Sequence, residues 1–289
     1  MTIQTALLQG TEILERAAVP AGRLTAEVLL SHALHCERTF LYAHGGDEFP
    51  ERAWIHFGRY LDERLKGKPT QYITHRQEFY GRDFYVNEHV LIPRPETEHL
   101  VEAALGHLKE HPEAVVLDVG TGSGAISISV ALEAHRGVLA SDISCEALNV
   151  AERNRRALGA RAAFFAGDLL EAVRASSVDL LLSNPPYVPG ADAANMQTEV
   201  RDYEPHVALF AGDSGLEIYQ RLIAGAEVAV KPGGRLMMEL GYQSLESVRE
   251  LLAMRWSDIG VISDLAGWPR VIQATLLSTS TVKGFDGVS

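Results

Sequence analysis

Asn184-Pro185-Pro186-Tyr187 follows directly on the apolar run Val178-Asp179-Leu180-Leu181-Leu182-Ser183. Two consecutive prolines fix φ and bias Asn184 toward an extended backbone, so its carboxamide is held at a strand end with little freedom. The Asn184 carbonyl oxygen, with the carbonyls of the peptides that follow, can accept both hydrogens of an incoming –NH2. Tyr187 offers a flat face to a planar group. Such a set suits a poor nitrogen nucleophile. The same four residues also make ordinary turns, so their meaning depends on what precedes them.

What precedes them is a second chemical signal. Val116-Leu117-Asp118-Val119-Gly120-Thr121-Gly122-Ser123-Gly124 ends a strand and opens a helix through a glycine-rich turn. Glycines there allow backbone N–H groups to approach a ligand closely at a helix N-terminus. Asp142, at the end of the next strand, can hold the two hydroxyls of a ribose. Asp168, after the third strand, is placed to meet an adenine amino group. Gly120, Gly122 and Ala125 also satisfy the dinucleotide fingerprint that tolerates alanine at its last position, which keeps a nicotinamide oxidoreductase open as a rival. Asn184-Pro185-Pro186-Tyr187 tilts the choice, because hydride transfer does not need an amide clamp.

These residues require an α/β sheet to position them. From residue 114 onward apolar strands alternate with helices: 115–119, 138–141, 162–166 and 179–183 read as strands, 124–132 and 144–158 as helices. Near-continuous apolar strands of this kind form a parallel sheet covered on both faces. A loop-rich stretch runs from Val188 to Gly215. A helix is expected near 216–230, a strand at 235–240, a helix near 245–254, and strands near 260–264 and 271–277. Before the sheet, apolar residues recur at helical spacing (Ile3, Ala6, Leu7, Ile13, Leu14, later Trp54, Phe57, Tyr60, Leu61), which predicts a small helical bundle. Glu78 to Val86 reads as an aromatic hairpin around Gly81. The expected organisation is a helical bundle over 1–75, a β-hairpin linker over 76–93, a catalytic domain over 94–279 and a flexible tail over 280–289.

Composition narrows the function classes. The formal net charge of −12 argues against a large nucleic-acid footprint, which needs clustered Lys and Arg. No uninterrupted apolar stretch is long enough to cross a bilayer and no signal-peptide pattern opens the chain, so a cytoplasmic location is expected. Cys36 and Cys145 show neither ligand nor redox spacing, so no metal is expected and both read as reduced and structural. None of the 11 histidines stands in a base position.

Assembled, these segments resemble an S-adenosylmethionine-dependent methyltransferase, specifically the HemK/PrmC family that methylates N5 of the glutamine in the Gly-Gly-Gln motif of peptide chain release factors. Carrying the resemblance are Pro69-Thr70-Gln71-Tyr72-Ile73, Leu91-Ile92-Pro93-Arg94-Pro95-Glu96-Thr97-Glu98, the turn Gly120 to Gly124, Asn184 to Tyr187, and Asp264-Leu265-Ala266-Gly267-Trp268-Pro269-Arg270. It implies a seven-stranded Rossmann-like sheet, mostly parallel with an antiparallel last strand, behind a small N-terminal helical domain that docks the release factor. It implies S-adenosyl-L-methionine as cofactor, held by Gly120, Thr121, Gly122, Ser123, Gly124, Asp142, Asp168, Leu169 and Asn184. Asn184, Pro185 and Tyr187 would be catalytic, and Asn184, Pro185, Pro186, Tyr187, Arg94 and Glu98 would bind substrate. Class-1 release factors are the implied partners of a monomeric enzyme that does not engage nucleic acid directly. Leu169 stands where the family often carries an aromatic, and the glycine usual after Tyr-Ile is absent at Ile73-Thr74-His75. The alternatives are a ribosomal-protein glutamine methyltransferase, an adenine-N6 methyltransferase and a non-catalytic cofactor-binding adaptor.

Overall fold

The computed structural model of the chain describes residues 1–278; the expected tail over 280–289 lies outside the described residues. Two compact units emerge among the described residues, Met1–Arg76 with Gln197–Tyr203, and Gln77–Met196 with the described chain from Glu204 to residue 278.

In the first unit, helices α1 (Ile3–Arg16), α2 (Gly22–Leu34), α3 (Arg38–Ala43), α4 (Glu51–Leu65) and α5 (Thr70–Thr74) are joined by the later helix α9 (Thr198–Tyr203). Thr2 caps α1 by accepting the Thr5 amide. Leu14, Leu29, Leu30 and Phe57 are fully buried in its core. Gly10 has a packing reason: a Cβ there would sit 2.5 Å from the Phe57 ring, so α1 can carry no side chain where α4 approaches. The buried Arg64 guanidinium pairs with Glu199, tying α9 to α4.

The second unit opens with the hairpin β1 (Gln77–Phe79) and β2 (Arg82–Phe84). Expected as a linker, the hairpin is instead packed into this unit, because Phe79 and Phe84 are buried in the cluster that also holds Leu100 and Val116. There follow α6 (Glu98–Glu110), β3 (Val116–Val119), α7 (Ala125–Glu133), β4 (Val138–Asp142), α8 (Cys145–Leu158), β5 (Ala162–Ala166), β6 (Val178–Ser183), α10 (Glu217–Ala229), β7 (Val230–Glu239), α11 (Leu245–Leu252), β8 (Trp256–Ser263) and β9 (Pro269–Leu276). The seven-stranded sheet has the order β5-β4-β3-β6-β7-β9-β8. All pairs are parallel except those of β9, which runs antiparallel to β7 and to β8.

Strands β7 and β8 begin earlier than the apolar pattern predicts, at Val230 and Trp256, and both differences have one cause. A register shift interrupts each ladder, between Val178 and Leu180 beside β7 and between Ser257 and Gly260 in β8, so alternation is lost across the irregularity. Cys36 and Cys145 are free, and Cys145 is exposed, so it has no packing role. Among the described residues no helix is long and apolar enough to cross a membrane.

Candidate active site

The strand order reverses at β3, which has β4 on one side and β6 on the other. A crevice must open there, beyond the carboxyl ends of the strands. Register then dictates the neighbours. Val119 is level with Ser141 and with Ser183, and Ser183 is level with Met238. The next residues of the four strands, Asp142, Gly120, Asn184 and Glu239, therefore emerge in a row. The Ser183 hydroxyl donates to the Val119 carbonyl at 2.7 Å and fastens the two central strand ends together. A cavity of about 260 Å³ lies over this edge.

Gly120, Gly122 and Gly124 all take positive φ, 73°, 55° and 82°, which a side chain would resist. The turn is held from beneath by Asp118, which is fully buried. Asp118 Oδ2 accepts the Thr121 hydroxyl at 2.6 Å and the Ser127 amide at 3.2 Å, capping the first turn of α7. Its other oxygen has no partner, and burial pushes the carboxyl up to about 6. Asp142 accepts the Gly122 amide at 2.8 Å on one oxygen and the Ser144 amide at 2.9 Å on the other, while burial pushes its pKa upward.

Gly120 and Thr121 donate their amides to the Ser141 carbonyl, Gly122 to Asp142 and Gly124 to the Thr121 carbonyl. These four N–H groups are spent inside the protein, so at those positions the turn gives close backbone approach rather than free donors. The Asp142 carboxylate in the cavity lining suits a ligand that offers hydroxyls.

At the other end of the cavity the half-buried Asn184 carboxamide donates from Nδ2 to the Thr97 hydroxyl oxygen at 3.3 Å. Thr97 in turn donates to Glu239 Oε2 at 2.6 Å. Glu239 is 4% exposed, and burial pushes it up to about 7. Its backbone is pinned by Tyr219, whose hydroxyl donates to the Glu239 carbonyl at 2.8 Å and accepts the Gly241 amide at 3.0 Å. Tyr187 lies against Gly241, where a Cβ would come within 2.6 Å of the ring. Burial pushes the Tyr187 phenol up to about 12, so it stays neutral at any working pH.

Two family models match the chain: the PrmC N-terminal domain over residues 5–74 and the methyltransferase small domain over residues 99–201. A release factor glutamine methyltransferase of Koribacter versatilis is 43% identical over 274 residues, spanning 94% of this chain and 98% of the relative. Another so named, from Nitratidesulfovibrio vulgaris, is 41% identical over 94% of this chain and 95% of its own length. The chain belongs to the release factor glutamine methyltransferase family. For the fold alone, the crystal structure of a methyltransferase from Pyrococcus furiosus aligns over 69% of this chain and 91% of its own, with a TM-score of 0.51 and 20% identity. As a member of that family the chain is an S-adenosylmethionine-dependent methyltransferase.

Lining the cavity are Gly120, Thr121, Gly122, Ser123, Asp142, Asp168, Leu169, Asn184, Pro186 and Arg94. Gly124 is not among them; a Cβ there would meet Ile128 at 2.7 Å and Ala151 at 3.3 Å, so it serves the packing of α7 on α8. Pro185 is buried and Tyr187 packs on Gly241, and neither is among the lining residues. Glu98 is elsewhere too: its carboxylate accepts the Tyr80 amide at 2.8 Å and holds the hairpin. Asp168 reaches the cavity already paired, accepting Arg221 Nη2 at 2.7 Å. Arg94 pairs with Glu204 at 2.5 Å, and the other Glu204 oxygen accepts the Ile92 amide at 3.2 Å.

Sequence reasoning missed Thr97, Glu239 and Arg221. Glu239 carried a usable signal, because an acid closing the apolar run Leu236-Met237-Met238 at a strand's carboxyl end repeats the pattern of Asp118 and Asp142. Thr97 stood inside the Pro93 to Glu98 segment that carries the resemblance but was passed over between Arg94 and Glu98, and Arg221 carried no signal, since only tertiary packing brings it to the cavity.

Proposed function

We propose that this chain methylates the side-chain amide nitrogen, N5, of the glutamine in the Gly-Gly-Gln motif of class-1 peptide chain release factors, with S-adenosyl-L-methionine as methyl donor. The observation that carries the reading is that Asn184 shares one cavity with the glycine turn and Asp142. The donor set fits the cofactor. The Asp142 carboxylate keeps lone pairs for ribose hydroxyls after accepting two amides. Ile143 and Leu169 offer apolar walls to the adenine plane, so an aliphatic contact replaces the expected aromatic one. When bound, the cofactor supplies a methyl group made electrophilic by its sulfonium.

The chain's own task is to make an unreactive nitrogen available. A glutamine amide delocalises its lone pair into the carbonyl. Asn184 Oδ1 and the Pro185 carbonyl would accept the two N–H hydrogens, returning electron density to nitrogen, and these bonds strengthen as positive charge develops. Holding the acceptor in place contributes further acceleration, on the order of several kcal/mol. No side chain needs to remove the proton first, because the amide becomes acidic only once alkylated.

The same reading takes residues 1–75 as the release-factor docking unit of a cytoplasmic, monomeric enzyme that makes no direct contact with nucleic acid. Mass spectrometry of the Gly-Gly-Gln peptide tests it, after incubation of purified release factor with enzyme and isotope-labelled cofactor. One added methyl on the glutamine is expected, with purified ribosomal protein as the comparison acceptor. Folded enzyme that labels the ribosomal protein and leaves the release factor untouched would overturn the assignment.

A further inference from the structure

We infer that Thr97 and Glu239 are positioning residues that set which end of the Asn184 carboxamide faces the acceptor, and that they do so only while Glu239 is ionised. The inference rests on Asn184 gripping the acceptor amide, as proposed above.

The number of hydrogens available fixes the orientation. A threonine hydroxyl has one hydrogen to give. In the observed arrangement it goes to Glu239 Oε2 at 2.6 Å, and Thr97 and Glu239, each 4% exposed, are shielded from competing water. The Thr97 oxygen is then left with lone pairs alone toward Asn184. Only the NH2 end of the carboxamide can satisfy them, and Nδ2 is the atom found there, at 3.3 Å. Oδ1 is thereby turned to the other side, where an acceptor –NH2 needs a hydrogen-bond acceptor. This network assigns the amide orientation independently of the near-identical shapes of its two ends.

Protonating Glu239 reverses the order. The carboxylic acid can then donate to the Thr97 oxygen, and the Thr97 hydrogen is released to bond Asn184 Oδ1. The carboxamide turns over and presents N–H to N–H at the acceptor, a pairing with no hydrogen bond in it. The charged and titratable groups facing Glu239 come from every neighbouring element: Glu96 and Arg94 from the segment before α6, Arg270 from β9, Tyr187 after β6 and Tyr219 from α10. Arg94 and Arg270 favour the carboxylate, while burial and Glu96 oppose it. The balance leaves Glu239 titrating at about 7, whereas Tyr187 remains a neutral phenol.

The test is methyl transfer to release factor by the full chain, with cofactor affinity measured separately by calorimetry, across about pH 5.5 to about pH 9. Wild type should gain rate as pH rises through about 7, the limb following the carboxylate. Thr97→Val should lower kcat by about 10- to 100-fold with cofactor Kd changed less than about twofold, and Thr97→Ser should recover most of the loss. Glu239→Gln can both donate and accept at every pH, so its kcat should fall several-fold and the limb should vanish. Thr97→Val turning over at the wild-type rate, or Glu239→Gln keeping the wild-type limb, would overturn the relay while leaving the methylation reading intact. Wild type that never labels the glutamine would overturn both. Should Thr97→Val not fold, the isosteric Glu239→Gln supplies the pH readout alone.

Discussion

At the scale of single residues, the proposed methylation turns on Asn184. On the proposed grip, Asn184→Ala removes the acceptor that would localise the amide lone pair but touches neither Asp142 nor the glycine turn. Transfer is expected to fall by about 100- to 1000-fold, the usual cost of losing a preorganised polar contact to a developing charge. Cofactor binding should persist within a few-fold. Asn184→Asp should fail as well, for a different reason. A carboxylate has no hydrogen to give the Thr97 oxygen and would compete with the nearby Glu239 for the single Thr97 hydrogen. Steady-state kinetics alongside cofactor calorimetry checks both variants. Near-normal turnover in Asn184→Ala would refute the amide grip.

At the scale of elements, the glycine turn divides into two kinds of glycine that look alike in the sequence. Gly122 lines the cavity at φ 55°, and a Cβ there meets nothing within 4 Å. Gly124 sits at φ 82° with Ile128 2.7 Å from the same imagined atom. Gly122→Ala should therefore weaken cofactor binding at a stability cost of about 1 kcal/mol, the penalty of a left-handed backbone. Gly124→Ala adds steric displacement of α7 from α8 and should cost about 2–4 kcal/mol, with a smaller effect on affinity. Urea denaturation and cofactor titration on the two variants give the ranking, and the reverse order would show that the turn's roles are misassigned. The turn was legible because glycines between an apolar strand and a helix have few other uses, and the central strands because burial on both faces leaves continuous apolar runs. Glu98, Pro185, Tyr187 and Gly124 stand outside the cavity lining for a common reason. A motif says that its residues are near one another, but whether a side chain faces the cavity or the core is settled by register and by the packing of neighbouring elements. Buried polar pairs such as Thr97 with Glu239 join positions far apart in the chain, which no local spacing encodes.

At the scale of the whole molecule, function and stability pull in opposite directions with pH. Burial raises Asp118 from 3.8 to about 6 and Glu239 from 4.5 to about 7, and shifts Asp142 the same way. Across that window the native state holds protons that the unfolded chain has released. Unfolding free energy therefore falls as pH rises through the native pKa values, and the cost is complete above about pH 7. Other carboxylates act with the opposite sign. Glu152, held down to about 2 by hydrogen bonds from Arg155 and then Arg156, and Glu217, held there by the Ser214 amide, stabilise the fold above 4.5 and lose that effect as pH falls toward 2. Both are near the surface, so their contribution is small. The net charge of −12 adds self-repulsion on the alkaline side. The melting temperature should accordingly peak in mildly acidic buffer, near about pH 5, and decline toward about pH 8. Glu239→Gln removes one titrating group from that decline and should flatten it, whereas methyl transfer in wild type should be rising over the same interval. A melting temperature that climbs steadily from mildly acid to mildly alkaline buffer would contradict the account, because it would require both buried acids to be ionised at little cost. The opposed slopes are expected of an active site in which a carboxylate is kept buried for what its charge does to a neighbouring amide, at the expense of the fold that encloses it.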